Sequence, residues 1–243
     1  MAEHLFDPFT DVTVDDTPAA LYELRGAHVE YRTPTGAVPA VEDVSFDVPA
    51  SGVTVLAGPS GSGKSTLLRV LGLIDRHTAG SVAWQGRDIG RLSHRARRAV
   101  RRSRIAVVFQ SPPENLIGHL TVAGNLRAAA QSAGLTGADP GILDWLGIPG
   151  TGDWRIGALS GGQQQRLAFG CALARKPAVV LADEPTSQLD AASAALVLDV
   201  LTRLTEEGVA VVAASHDDEL VARGDRVVRL REGRVERVEG VDR

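Results

Sequence analysis

Two stretches of this chain carry residue types and spacings suited to a phosphate group. The first reads Gly58-Pro59-Ser60-Gly61-Ser62-Gly63-Lys64-Ser65-Thr66, a full G-x-x-x-x-G-K-S. Its glycines let the backbone curl so that successive N–H groups converge on an oxyanion. Lys64 then supplies a point charge to the outer phosphates, and the Ser65 hydroxyl can ligate Mg²⁺. Only two of the 26 basic residues are lysines, Lys64 and Lys176, so a lysine in register with these glycines is a selective signal. The second stretch, residues 159–166, reads LSGGQQQR. Ser160, Gly161, Gly162 and Gln163 open a segment that reads as helix to residue 175, with a hydroxyl cap and backbone that no side chain crowds. A helix N-terminus built this way presents bare N–H groups and partial positive charge, which again suits a phosphate.

These groups need a scaffold. Residues 53–57 form a short apolar run before the glycine loop, read as a buried strand, and residues 66–73 carry leucines at helical spacing. Strand, loop and helix in that order are what a phosphate loop requires. Alternation through Leu21, Leu24, Val29 and Tyr31, then through residues 44–48, predicts antiparallel strands leading into it. Apolar runs at 105–109, 178–182 and 209–214 predict buried strands of a parallel sheet. Helical stretches near 193–205 and 217–223 separate some of them, which implies a doubly wound α/β core. Between residue 111 and about residue 175 no convincing strand appears, and several segments read as helical. The buried runs end on Gln110, on Asp183-Glu184 and just before His216, at strand ends where an α/β site gathers its chemistry.

In type and order these motifs resemble those of the ABC ATPase family, over essentially everything from Leu21 onward. The resemblance implies an α/β fold: a P-loop NTPase core with a mostly parallel sheet, an N-terminal antiparallel β subdomain and an inserted helical subdomain. It makes residues 21–243 a single nucleotide-binding domain, with the helical subdomain at about 111–175. It also implies roles. Residues Gly58 to Thr66 would hold ATP, with Lys64 on the β- and γ-phosphates and Ser65 on Mg²⁺. Asp183 would hold Mg²⁺ through water, Glu184 would polarise the attacking water as general base, and His216 would touch the γ-phosphate. Gln110 would contact Mg²⁺ and sense the neighbouring subdomain. Tyr31 would stack on adenine, an aromatic face being indifferent to hydrogen-bond detail; an ordinary strand aromatic is the other reading. In this family the signature serine lies too far from its own phosphate loop to reach the same nucleotide. Two subunits would therefore pack head-to-tail, as a homodimer or with a similar ATPase. Each ATP would sit between one chain's loop and the other chain's Ser160, Gly161, Gly162 and Gln163, with Asp190 in the D-loop. Two departures from the family pattern stand out: Gln188 in the D-loop, and Phe169-Gly170-Cys171 where Ala-Arg is common. A glycine within a helix costs about 1 kcal/mol relative to alanine, so a slightly softened signature helix is expected.

Composition sets outer limits. The 243 residues fit one large α/β domain with a sizeable core. A net charge of −4 gives no global reason to expect a nucleic-acid partner. A single cysteine, Cys171, excludes an intrachain disulfide, fits a reducing cytoplasm and reads as packing. No segment approaches the roughly 18 apolar residues of a membrane span, and no positive-then-apolar leader opens the chain. Residues 1–20 carry five acidic residues and no Lys or Arg, and read as a disordered acidic tail. Trp84, Trp145 and Trp154 are assigned to packing or partner contact.

Residues 91–104 hold seven arginines, Arg91, Arg95, Arg97, Arg98, Arg101, Arg102 and Arg104, with no aromatic among them for base stacking. A solvated helix is one reading and attraction to an anionic membrane surface another; similar arginine-rich stretches occur in the lipoprotein-release and macrolide-efflux branch of the family. The expected function is the ATP-binding and ATP-hydrolysing subunit of a bacterial-type ABC transporter. It would sit on the inner face of the cell membrane through an integral membrane permease docked near residues 111–125. The other class is a soluble ABC ATPase of assembly or remodelling, such as the iron–sulfur type.

Overall fold

The computed structural model describes residues 20–34 and 36–240, so the acidic stretch before residue 20 lies outside the described residues apart from Ala20 itself. No helix among the described residues is long and apolar enough to cross a membrane. The described residues form two compact units, one of residues up to 101 together with those from 214 onward, the other of residues 102–213.

The first unit opens with β1 (Ala20–Thr33) and β2 (Gly36–Pro49), paired antiparallel with Leu24 opposite Phe46 and Val29 opposite Val41. Their inward residues, Leu24, Val29, Val44 and Phe46 among them, are buried, as the period-two alternation requires. Next come β3 (Val53–Ala57), buried at every position, and α1 (Lys64–Leu71), which buries Leu67, Leu68 and Leu71. β4 (Ala79–Trp84) pairs antiparallel with β1, and the two-residue β5 (Arg87–Asp88) completes the sheet order β2-β1-β4-β5. Trp84 lies opposite Tyr22, their rings edge-to-face at 4.7 Å between centroids, both buried. The arginine-rich helix α2 (His94–Ser103) follows.

The second unit begins with β6 (Ile105–Val108). A 3-10 turn (Pro112–Asn115) leads to α3 (Val122–Ser132), the short α4 (Ile142–Trp145) and α5 (Gly161–Leu173) before the next strand, β7 (Val179–Asp183). The helices share a core that includes Leu126, Ile142, Leu146, Ile156, Leu167 and Cys171. They are thus a helical insertion between strands. α6 (Ala191–Glu206) leads to β8 (Ala210–Ser215), whose last two residues belong to the first unit. The strand order is β8-β7-β6, with β6 and β7 parallel.

Returning to the first unit, α7 (Asp218–Ala222) precedes β9 (Arg226–Arg231) and β10 (Arg234–Gly240). β9 runs parallel to β3, and β10 pairs antiparallel with β9. Neither the β4–β5 ribbon nor this terminal hairpin was expected from the apolar runs. β9 and β10 alternate valine and leucine with arginine and glutamate, which lowers their hydrophobic signal.

Candidate nucleotide site

The glycine loop joins β3 to α1 and is shaped by contacts only glycine tolerates. Gly58 has φ 154°, and a β-carbon there would lie 2.2 Å from the Leu230 carbonyl oxygen. Gly63, the residue before α1, has φ 99°, and a β-carbon there would lie 2.7 Å from the Ala40 carbonyl oxygen. Gly61, at φ 79°, faces open space, so it answers to backbone conformation alone. The loop is pinned from behind, since Gly233 N–H donates to the Ser62 carbonyl at 3.2 Å. No side chain caps α1, so its first-turn N–H groups are not occupied by a capping hydroxyl or carboxylate.

Lys64 is buried, and its Nζ folds back into the loop to donate to the carbonyls of Gly58 at 2.7 Å and Pro59 at 3.0 Å. The Ser62 hydroxyl, in the same loop, is buried with no hydrogen-bond partner. An unsatisfied buried hydroxyl costs about 1–3 kcal/mol. A buried cation, an orphaned hydroxyl and glycines that exclude β-carbons make a cradle for an oxyanion such as a phosphate.

In the same unit Tyr31, on β1, is 39% exposed, and its hydroxyl donates to Asp75 Oδ2 at 2.9 Å. Arg69, on α1, holds that carboxylate in a fork, Nε to Oδ2 at 2.7 Å and Nη2 to Oδ1 at 3.1 Å. The Arg69 hydrogen bond therefore holds the Asp75 carboxyl below the usual range, against the opposing effect of burial. Burial raises the Tyr31 hydroxyl above its ordinary value, while a hydrogen bond with the Thr66 side chain lowers it. Tyr31 is thus tied to the helix that starts at the glycine loop. Asp75 and Arg69 were not singled out from the sequence; a partner 44 residues away leaves no local signal. His216 follows β8 and is exposed.

The other candidate residues lie in the second unit. Asp183 ends β7, and Glu184 turns the chain at φ 47°, a left-handed conformation that costs a non-glycine residue about 1–2 kcal/mol. The turn is held by Ser187, which donates from N–H (3.2 Å) and Oγ (3.0 Å) to the Glu184 carbonyl. Gln110 Nε2 donates to the same Ser187 hydroxyl at 3.0 Å, so Gln110 and the turn after β7 are directly linked. Asp190 caps α6, accepting from Ser193 N–H at 2.9 Å, and that backbone hydrogen bond lowers its pKa. Ser160 caps α5 in a reciprocal box: its Oγ accepts from Gln163 N–H at 3.3 Å, and Gln163 Oε1 accepts from Ser160 N–H at 2.9 Å. Ser160 and Gly161 are exposed, whereas Gly162 is packed so that a β-carbon would lie 2.7 Å from Ser193 Cβ and Oγ. The two glycines therefore serve different ends, Gly161 for access and Gly162 for close approach of α5 to α6.

At Gly170, where a slightly softened signature helix is expected from propensity, the packing makes a demand of its own. α5 runs unbroken from Gly161 to Leu173, and a β-carbon at Gly170 would fall 2.4 Å from Leu146 Cδ1. Glycine here accommodates a buried leucine. Cys171 is buried in the same core, and its thiol is pushed up to about 12 by desolvation, which makes it inert. Trp84 is core, Trp145 lies under the Arg203 guanidinium at 4.5 Å, and Trp154 is 47% exposed.

Residues 41–187 match the ABC transporter family model. The chain is 40% identical to the lipoprotein-releasing system ATP-binding protein LolD 2 of Caulobacter vibrioides, over 88% of this chain and 95% of that one. It is 38% identical to the macrolide export ATP-binding/permease protein MacB 1/2 of Paracoccus denitrificans, over 90% of this chain but only 33% of that longer protein. Among solved structures, a dimeric ATP-binding cassette captured after hydrolysis with ADP and Pi superposes with a TM-score of 0.79 at 32% identity, covering 90% of this chain and 98% of that one. The chain belongs to the ABC transporter family, as an ATP-binding and ATP-hydrolysing subunit.

Proposed function

We propose that two copies of this chain close head-to-tail on two ATP molecules and reopen after hydrolysis, driving a separate membrane permease. The observation that carries the ATP reading is the glycine cradle with Lys64 folded into it and the Ser62 hydroxyl unsatisfied. The cradle N–H groups and Lys64 hold the phosphates, and Tyr31 carries the adenine. Ser65, Gln110 and Asp183 would hold Mg²⁺. A hydroxyl, an amide and one carboxylate suit an ion that keeps several waters and shares phosphate oxygens. When bound, Mg²⁺ neutralises phosphate charge and polarises the outer phosphoryl group. Glu184 accepts a proton from the attacking water, and His216 steadies the outer phosphate. Ser160, Gly161 and Gln163 present the N-terminus of α5 to the nucleotide of the second copy; the exposure of Ser160 and Gly161 supports this.

The permease would dock on a cleft of about 270 Å³ in the second unit, whose lining includes Phe109, Glu114, Asn115, Ile117 and Cys171. Phe109 on its wall immediately precedes Gln110, so a docked helix would bear on the Gln110–Ser187 link. The protein would then lie on the cytoplasmic face of the membrane without crossing it. The named relatives release lipoproteins or export macrolides, which favours outward transport here. A soluble assembly ATPase is not favoured by these relatives. The test is co-purification from detergent-solubilised membranes. A multi-span protein recovered with the wild type is expected, and recovery of only non-membrane partners would overturn the transport reading.

A further inference from the structure

The arginine-rich stretch has a role that charge counting misses. α2 does not present all its arginines to solvent. Arg97 is buried, donating from Nε to the Leu73 carbonyl at 3.2 Å and from Nη2 to the Asp75 carbonyl. Arg101 donates to the same Leu73 carbonyl at 2.7 Å. Leu73 itself sits at φ 55°, a left-handed turn that ends α1 and throws the chain outward to Asp75. Two guanidiniums thus clamp the backbone of this turn, while Arg69 grips the Asp75 side chain in a fork. The Tyr31 hydroxyl donates to the same carboxylate.

We propose that Asp75 is a positioning residue for nucleotide recognition, fixing the Tyr31 ring through its hydroxyl, and that Arg97 and Arg101 of the arginine helix hold Asp75 in place for this task. Tyr31 comes from a strand and is more than a third exposed, so its ring is held by packing on part of its surface only, and the hydroxyl's partners, Asp75 and Thr66, complete the hold. A hydroxyl anchored to a carboxylate that is itself held at both side chain and backbone fixes the ring before the base arrives. Preorganisation of this kind raises affinity by sparing the ordering cost on binding. The inference rests on Tyr31 being the residue that carries the base.

The test is equilibrium displacement of a fluorescent ATP analogue by ATP and, separately, by inorganic tripolyphosphate, which has no base. Tyr31→Ala examines the underlying reading: it should weaken ATP and leave tripolyphosphate unchanged, and an unchanged ATP-to-tripolyphosphate ratio would remove Tyr31 from base binding. Tyr31→Phe and Asp75→Asn examine the clamp. Each should weaken ATP roughly two- to tenfold, the worth of one net hydrogen bond, with tripolyphosphate unaffected. Asp75→Asn added to Tyr31→Ala should bring no further loss. Tyr31→Phe removes one hydroxyl from a partly exposed ring, so its folding is not at risk. The clamp is wrong if Tyr31→Ala weakens ATP while Tyr31→Phe and Asp75→Asn do not, or if Asp75→Asn weakens both ligands alike. Arg97→Lys and the less buried Arg101→Lys, each checked by thermal melting, should shift ATP in the same direction; folded variants with wild-type ATP affinity would remove the arginine helix from the proposal.

Discussion

Gly170 and Leu146 are complementary in shape: a β-carbon on the first would come within 2.4 Å of Cδ1 of the second, and Leu146 is itself 2% exposed. Two effects oppose each other in Gly170→Ala. Alanine gains about 1 kcal/mol in helix propensity. Overpacking a close-packed core costs about 1–3 kcal/mol, and Leu126 Cδ2, 3.4 Å from the same point, is a second tight contact for the new methyl. Overpacking should win, giving a net loss of about 1 kcal/mol and a fall in melting temperature of about 2–4 °C. Combining Gly170→Ala with Leu146→Val should be less destabilising than the sum of the two, because the clash is relieved. Additive losses in thermal melts would show that the site relaxes without help.

Glu184 departs from regular backbone where β7 ends, and Ser187 holds it there through two bonds to its carbonyl, neither of which uses the side chain. Glu184→Gln should therefore leave the turn intact and remove only the carboxylate. Turnover should fall by about 10²–10⁴-fold, typical of losing general-base catalysis, with ATP affinity kept. Steady-state hydrolysis and a nucleotide titration check the two halves, and wild-type turnover would take the base role from Glu184.

The phosphate loop, the signature helix and the three buried runs were legible in the sequence because each is a local pattern. A glycine spacing, a Ser-x-x-Gln box and a four- to six-residue apolar run need no distant partner to be recognised. The hairpin of β9 and β10 escaped because its arginines and glutamates dilute the apolar signal. The Tyr31–Asp75–Arg69 group escaped for a different reason: its members are ordinary residues, and only the fold brings them together. Gly170 was read through intrinsic propensity, which carries no term for Leu146. Asp190 was assigned to the D-loop by resemblance, and in the structure its carboxylate is the cap of α6.

The pH response of base recognition follows from the same cluster. The Asp75 carboxyl is lowered chiefly by Arg69, with Tyr31 and Arg97 acting in the same sense. A carboxyl lowered on folding contributes fully above its unfolded value of 3.8 and is lost only as pH falls through its lower folded value. The Tyr31 hydroxyl is raised by burial, so its protonated, donating form persists past the ordinary 10.0. The ratio of wild-type to Asp75→Asn affinity for ATP, in which titration of the ligand's own phosphates cancels, should thus be flat from about pH 5 to about pH 9, well inside both limits. A step in that ratio near neutrality would implicate some other group in holding the base.

Head-to-tail pairing makes a prediction that a self-contained site does not. In a dimer of one Lys64→Ala chain and one Ser160→Ala chain, one composite site carries both lesions. The other joins the intact loop of the Ser160→Ala chain to the intact signature of the Lys64→Ala chain. Each variant alone should be nearly inactive, while an equimolar mixture should recover ATP hydrolysis from the mixed dimers. Ser160→Ala also removes the cap of α5, at a cost of about 0.5–2 kcal/mol, so its melting temperature should drop whether or not ATP is present. Lys64→Ala leaves that cap untouched. A mixture no more active than its components, with mixed dimers verified by mass, would mean that Ser160 does not act across the interface.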